Sequence, residues 1–220
     1  MKKSVLISIQ PKWVKLIASG KKTIELRTTK PKESLPFKCY IYCTKAQYEF
    51  DYCYIRGVGR PTIVGKDIEN GNAFDINCNG YVVGEFWCDT IDEYTDKDLF
   101  KGLDEINNSF VEEASCVDLD SILSYKGNRE VLYGWHIKGL TIYNKPKPLS
   151  DFGTPDNAKV QNCEHRDQCY TSDYSVTGYI KAGFVCDYKE DWCTKCKRIP
   201  LKRAPQSWGY AEEIETNVPR

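Results

Sequence analysis

Lys22, Glu25 and Arg27 lie within six positions, in Lys22-Thr23-Ile24-Glu25-Leu26-Arg27, and set two cations beside one carboxylate. A Lys and an Arg can hold a phosphate, the Arg in bidentate fashion. The Glu then orients the cations or accepts a hydrogen bond from the exocyclic amine of a base edge. Two other roles are open. In an enzyme Glu25 would be a general base and Lys22 would stabilise an anion, which makes these two the catalytic candidates. In an architectural role the three form an ion-pair ladder on a strand. Binding is the leading reading. Trp13 follows Lys12 at a helix start and is the candidate base-stacking platform. Lys12, Trp13, Lys21, Lys22, Thr23, Glu25 and Arg27 together make the ligand-binding set.

The cysteines form a second chemical group. The chain has 11, an odd and high count. Cys39, Cys43, Cys53, Cys78, Cys88 and Cys116 are scattered and read as small buried hydrophobes. Cys163, Cys169, Cys186, Cys193 and Cys196 crowd into 34 otherwise polar residues. Cys193-x-x-Cys196 has the spacing with which two thiolates grip one tetrahedral ion. Cys163 and Cys169 supply a looser second pair, and Cys186 or His165 can replace a member. The segment is too polar to build its own core. A structural Zn2+ on Cys163, Cys169, Cys193 and Cys196 would supply folding free energy on the order of 10 kcal/mol. Free thiols, or redox use of Cys193 and Cys196, are the competing readings. His136, beside Trp135 in a strand, reads as a structural histidine.

The elements that must position these groups are short. Val5 to Ile9 forms a strand, Pro11 starts a helix, and Gly20 ends it. Lys22 to Arg27 alternates as a strand that sets Thr23, Glu25 and Arg27 on one face, opposite Ile24 and Leu26. Phe37 to Thr44 and Tyr81 to Cys88 are further strands, and residues 45–80 read as a long polar excursion. Asp118 caps a helix over 119–125 that Gly127 ends. Leu132 to Tyr143 is a strand region interrupted by Gly134 and Gly139, and closed by Pro146-Lys147-Pro148. Many short strands with glycine kinks favour a compact barrel over a βαβ sheet.

Length favours one domain with an appendage. Net charge is zero, which excludes a wholesale polycation and a strongly acidic disordered chain. The zero is a cancellation. Residues 1–47 carry eleven Lys/Arg against two Glu, a net +9, and residues 48–131 carry seven against eighteen acidic, a net −11. The basic entry segment is of the kind that attracts phosphate. No apolar run is long enough to span a bilayer. The stretch after Met1-Lys2-Lys3 breaks at Ser8 and Pro11, too short for a secretory signal, so a cytoplasmic location is expected.

Ile7-Ser8-Ile9-Gln10-Pro11-Lys12-Trp13 and Gly20-Lys21-Lys22-Thr23-Ile24-Glu25-Leu26-Arg27 resemble the opening of ASCH domains, a branch of the PUA-like superfamily. Val83-Gly84-Glu85-Phe86 is similar to the family's central strand, and Tyr133-Gly134-Trp135-His136-Ile137 through Leu149 to its last strand. The C-terminal piece ending in Pro205-Gln206-Ser207-Trp208 resembles an extension on bacterial and phage members. The resemblance implies a mostly β, α+β fold: an ASCH/PUA-like β-barrel over residues 1–152 and a Cys-rich, zinc-stabilised extension over 153–220. It implies an RNA or nucleotide ligand, held in a basic cleft beside the first helix, and no membrane. A protein partner would use the extension. Small members resemble hydrolases of an acylated cytidine nucleoside that use a Lys and a Thr of this motif. The Lys matches Lys22, but Glu25 stands at the Thr position, so that activity is not carried over; Thr23 is the substitute candidate. Ribonuclease activity is the other enzymatic alternative. A binding protein remains the leading expectation over an enzyme.

Overall fold

The computed structural model of the 220-residue chain describes residues 3–45, 54–56, 62–64, 75–100, 108–155 and 198–214. The order is β1 (Val5–Ile9), α1 (Pro11–Ala18), β2 (Ile24–Arg27) and β3 (Phe37–Cys43). Next come β4 (Tyr54–Arg56), β5 (Thr62–Val64), β6 (Asp75–Asn77), β7 (Tyr81–Cys88) and β8 (Ile91–Tyr94). Helices α2 (Asp96–Phe100), α3 (Asn108–Ser115) and α4 (Leu119–Lys126) precede β9 (Leu132–His136) and β10 (Lys138–Pro148). The C-terminal strands are β11 (Phe152–Pro155), β12 (Arg198–Pro200), β13 (Trp208–Tyr210) and β14 (Glu212–Glu213). The protein is thus mostly β with a few short helices.

The chain divides into two compact units, Met1–Leu149 with Arg203–Ala211, and Ser150–Lys202 with Glu212–Arg220. In the first unit a five-stranded sheet runs β10-β7-β3-β1-β13. β1 and β3 are parallel, and the remaining neighbours are antiparallel. A second sheet runs β2-β9-β8 and a third β5-β4-β6. In the second unit, β11 pairs with β12 and β14. Among the described residues the ladders do not close into a barrel. The chain leaves one sheet at Ile137, whose N–H bonds Thr23 O at 2.9 Å, and enters the other as β10.

Two apolar clusters hold the first unit. Val5, Ile7 and Ile9 of β1, with Cys39, Ile41 and Cys43 of β3, pack against Val14 and Ile17 of α1 and against Trp135. Each fully buried Val, Ile or Leu side chain contributes roughly 1.5–3 kcal/mol. The second cluster joins Ile24 and Leu26 of β2 and Leu132 of β9 to Leu99, Ala114 and Ile122 of the helices. β2 is therefore covered on both sides, and its four residues are all buried.

The local signals account for the helix ends. Pro11 occupies the first turn of α1. Gly20 has φ +74°, Gly20 N–H bonds Ile17 O at 2.9 Å, and Lys21 N–H bonds Leu16 O at 3.0 Å. That is a Schellman closure, in which glycine carries no left-handed penalty. Asp118 caps α4 by accepting from Ser121 N at 2.9 Å, and Gly127 follows its last turn. The stretch read as an excursion contains β4, β5 and β6, registered by Ile55↔Ile63 and Ile55↔Ile76. β10 continues through Pro146 to Pro148 because it is the sheet edge, where a missing N–H is tolerated.

Candidate functional site

The Schellman turn at Gly20 reverses the chain and delivers Lys22 to β2, beside α1 and α3. Thr23 N–H bonds Ala114 O at 2.8 Å, which pins the start of β2 to the end of α3. From there the strand places alternate residues on opposite faces. Ile24 and Leu26 enter the helix-side cluster, while Glu25 and Arg27 share the other face.

Lys22, Glu25 and Arg27 come together, as the sequence expects, but in the interior. They are only 2%, 6% and 7% exposed. Lys22 Nζ lies 3.3 Å from Glu25 Oε2, and Arg27 Nη2 lies 3.0 Å from Glu25 Oε1. Lys22 donates to Ser115 O at 2.6 Å. Arg27 donates to Ser8 O at 2.7 Å and to Ser207 Oγ at 3.2 Å. Ser8 in turn donates from Oγ to Pro205 O at 2.6 Å, and its N–H bonds Ser207 O at 2.9 Å. A continuous polar chain thus runs Ser115–Lys22–Glu25–Arg27–Ser8/Ser207. Along it, Ser115 Oγ and Arg27 Nε are buried with no hydrogen-bond partner among the described residues, as is Trp135 Nε1, while Glu25 Oε2 is held by the ion pair with Lys22. Trp135 is the Cα partner of Glu25 on β9.

The rest of the predicted ligand set lines the outside. Lys12, Lys21 and Thr23 are exposed, and Trp13 is half-buried. Lys12 Nζ stands 4.4 Å and Lys22 Nζ 5.1 Å from the Trp13 ring centroid, a pair of cation–π contacts. Trp13 thus joins exposed Lys12 to buried Lys22. Ser115, Ser207 and the Ser8 carbonyl were not singled out from sequence. Ser207 lies 180 residues from Arg27, and the Ser115 and Ser8 contributions are backbone carbonyls, which leave no residue-type signal.

His136 Nε2 is 2.7 Å from Asp92 Oδ2, which also accepts from the Tyr94 hydroxyl at 3.0 Å. Burial, reinforced by Asp92, pushes the Tyr94 hydroxyl up. This arrangement orders β8 against β9 and is a structural role for His136. Cys39, Cys43, Cys78 and Cys88 are buried thiols, and Cys116 is half-buried. Burial holds Cys39 well above the ordinary thiol range and pushes Cys88 up to about 12. Cys39 and Cys88 therefore pack rather than react. Cys53 lies outside the described residues, as do Cys163, His165, Cys169, Cys186, Cys193 and Cys196. Among the described residues no helix is long and apolar enough to cross a membrane.

No protein-family model matches the chain, and no curated protein matches it. Crystal structures of the ASCH protein of Zymomonas mobilis and of two of its point variants are similar to it at 15–17% identity. They align over 82–86% of this chain and 90–92% of theirs, with TM-scores of 0.43–0.44.

Proposed function

We propose that this chain is an RNA- or nucleotide-binding protein of ASCH type, whose ligand sits at the rim formed by α1 and the entry to β2. The observation that carries this reading is Trp13, half-buried at the start of α1, with exposed Lys12 at 4.4 Å and buried Lys22 at 5.1 Å from its ring centroid. An aromatic face between cations offers stacking and phosphate contact together. Lys12 and Lys21 meet phosphate, and the Trp13 face meets a base. Lys22, Glu25 and Arg27 form the wall and set its polarity. Glu25 lies between two cations, which favours a holding role over that of a catalytic base.

The test uses Lys12→Ala/Lys21→Ala and Trp13→Ala with fluorescein-labelled single-stranded RNA, read by anisotropy between about 50 and 200 mM salt. The double lysine variant is expected to weaken binding several-fold and to lower the salt slope by about one per lysine. Unchanged affinity and slope in both variants would sink the proposal.

The same reading includes a C-terminal extension over 153–220, stabilised by zinc on Cys163, Cys169, Cys193 and Cys196. The knuckle spacing of Cys193 and Cys196 supports it. Elemental analysis of purified protein is expected to give close to one zinc per chain, and a chelator is expected to lower the melting temperature. Protein free of zinc with an unchanged melting curve would remove the metal from the account.

A further inference from the structure

The outer face of the five-stranded sheet carries an exposed indole among lysines. Trp87 of β7 is 45% exposed, although its neighbours Phe86 and Cys88 are fully buried. Register sets Lys38 of β3 and Lys138 of β10 as its Cα partners on either side. The next row along is Tyr40, Glu85 and Thr141. Neighbouring strands lie about 4.8 Å apart, and residues two apart on a strand about 7 Å. These side chains therefore share one continuous face.

Its charges are arranged for an anion. Lys138 is exposed. Lys38 Nζ lies 5.8 Å from the Trp87 ring centroid and 5.6 Å from that of Tyr40, and Lys147 Nζ lies 4.4 Å from that of Tyr143. The acidic member of these rows is Glu85. Lys38 is bound to its Oε1 at 3.0 Å, and the Tyr143 hydroxyl to its Oε2 at 2.7 Å. Burial would raise the Glu85 carboxyl, but the bonds from Tyr143 and Lys38 outweigh it and hold the carboxyl below its ordinary value. Glu85 is thus satisfied within the face and serves to hold Lys38 beside the indole. Gly139 contributes by what it lacks. A β-carbon there would stand 3.6 Å from Trp87 Cδ1, so glycine leaves that edge of the ring uncovered.

We propose that this sheet face is a second nucleic-acid contact, on which Trp87 stacks a base of a single strand and Lys38, Lys138 and Lys147 take the flanking phosphates. Single-stranded RNA fits because it offers π-faces and phosphates together, and stacking on a strand-borne aromatic is tolerant of sequence. An acidic peptide would use the lysines and leave the indole without a matching group. The inference does not rest on the α1 site, which involves other residues.

The experiment measures anisotropy of a fluorescein-labelled oligouridine on full-length protein carrying Trp87→Ala, Trp87→Phe or Lys138→Ala. Trp87 and Lys138 are exposed, so folding is expected to persist, and a thermal melt verifies it. Trp87→Ala is expected to weaken binding roughly tenfold, with Trp87→Phe restoring most of it, and Lys138→Ala to lower the salt slope by about one. Wild-type affinity in Trp87→Ala overturns the proposal, as does equal loss in Trp87→Ala and Trp87→Phe. A Trp87→Ala protein that loses an acidic polypeptide such as polyglutamate but keeps oligouridine overturns it in favour of a protein-docking face. Lys12→Ala/Lys21→Ala, run alongside, reports on the α1 site independently.

Discussion

Replacing Glu25 with alanine is expected to lower the unfolding free energy by about 3–5 kcal/mol, the usual cost of breaking a buried ion pair from one side. The reason is the surroundings left behind. Lys22 and Arg27 are 2% and 7% exposed, and Glu25 stands between them at 3.3 and 3.0 Å. Without the carboxylate, two desolvated cations face each other, with Ser115 O, Ser8 O and Ser207 Oγ as their acceptors among the described residues. Denaturant unfolding at neutral pH checks this. A loss below about 1 kcal/mol would show that the set is more hydrated than its burial indicates. Replacing all three at once, as Lys22→Met/Glu25→Leu/Arg27→Met, is expected to restore much of the loss, because apolar replacements of similar volume often match a buried charge network in stability. In that variant RNA binding at the α1 rim should be lost, leaving the sheet-face contact. Stability recovered without binding at that rim would separate the architectural role of the network from its proposed role as the ligand wall.

Gly84→Ala is expected to cost about 3 kcal/mol, at the upper end of overpacking effects. A β-carbon on Gly84 would lie 2.4 Å from the Thr141 carbonyl oxygen and 3.2 Å from Ile142 Cα. Both are backbone atoms of the neighbouring strand and cannot rotate away as a side chain can. The pairing of β7 with β10 is irregular here, shifting register between Lys138 and Thr141 and again after Ile142, and glycine is what lets the strands approach. Gly209→Ala is the matched control. Its β-carbon would meet Pro205 Cβ at 3.5 Å, an ordinary contact, so its midpoint should move little. Equal effects at the two positions would show that entropy, not collision, governs both. Because Trp87 lies on β7, the Gly84 variant should also weaken RNA binding through the sheet face.

Punctuation was legible residue by residue. Pro11 and Gly20 bracket α1, and Asp118 and Gly127 bracket α4, because these side chains act on the backbone within four residues of themselves. β7 runs from Tyr81 to Cys88 as the sequence reads. The pairing of Glu25 with Arg27 was also legible, since i and i+2 on a strand share a face; Lys22 precedes β2 and joins them from the turn, while Thr23, expected on that face, is exposed. Less was visible where pairing partners are distant. β8 and α3 carry no strong local signal, and β4 to β6 form through one another, whereas the reciprocal Thr95–Asp98 cap that starts α2 is a local signal that went unread.

What the sequence determined alone was which groups meet: a carboxylate and an Arg on one short strand with a Lys just before it, an indole beside a lysine, and Cys39, Cys43, Cys78 and Cys88 that pack. Only the tertiary structure decided where they meet. Pairing of β2 with β9 on one side, and α3 with residues 205–208 on the others, moves Lys22, Glu25 and Arg27 from a surface ladder into the interior. Burial there depends on backbone carbonyls from positions 8 and 115 and a hydroxyl from position 207. Carbonyls have no residue type, and so no pattern in the chain can announce them.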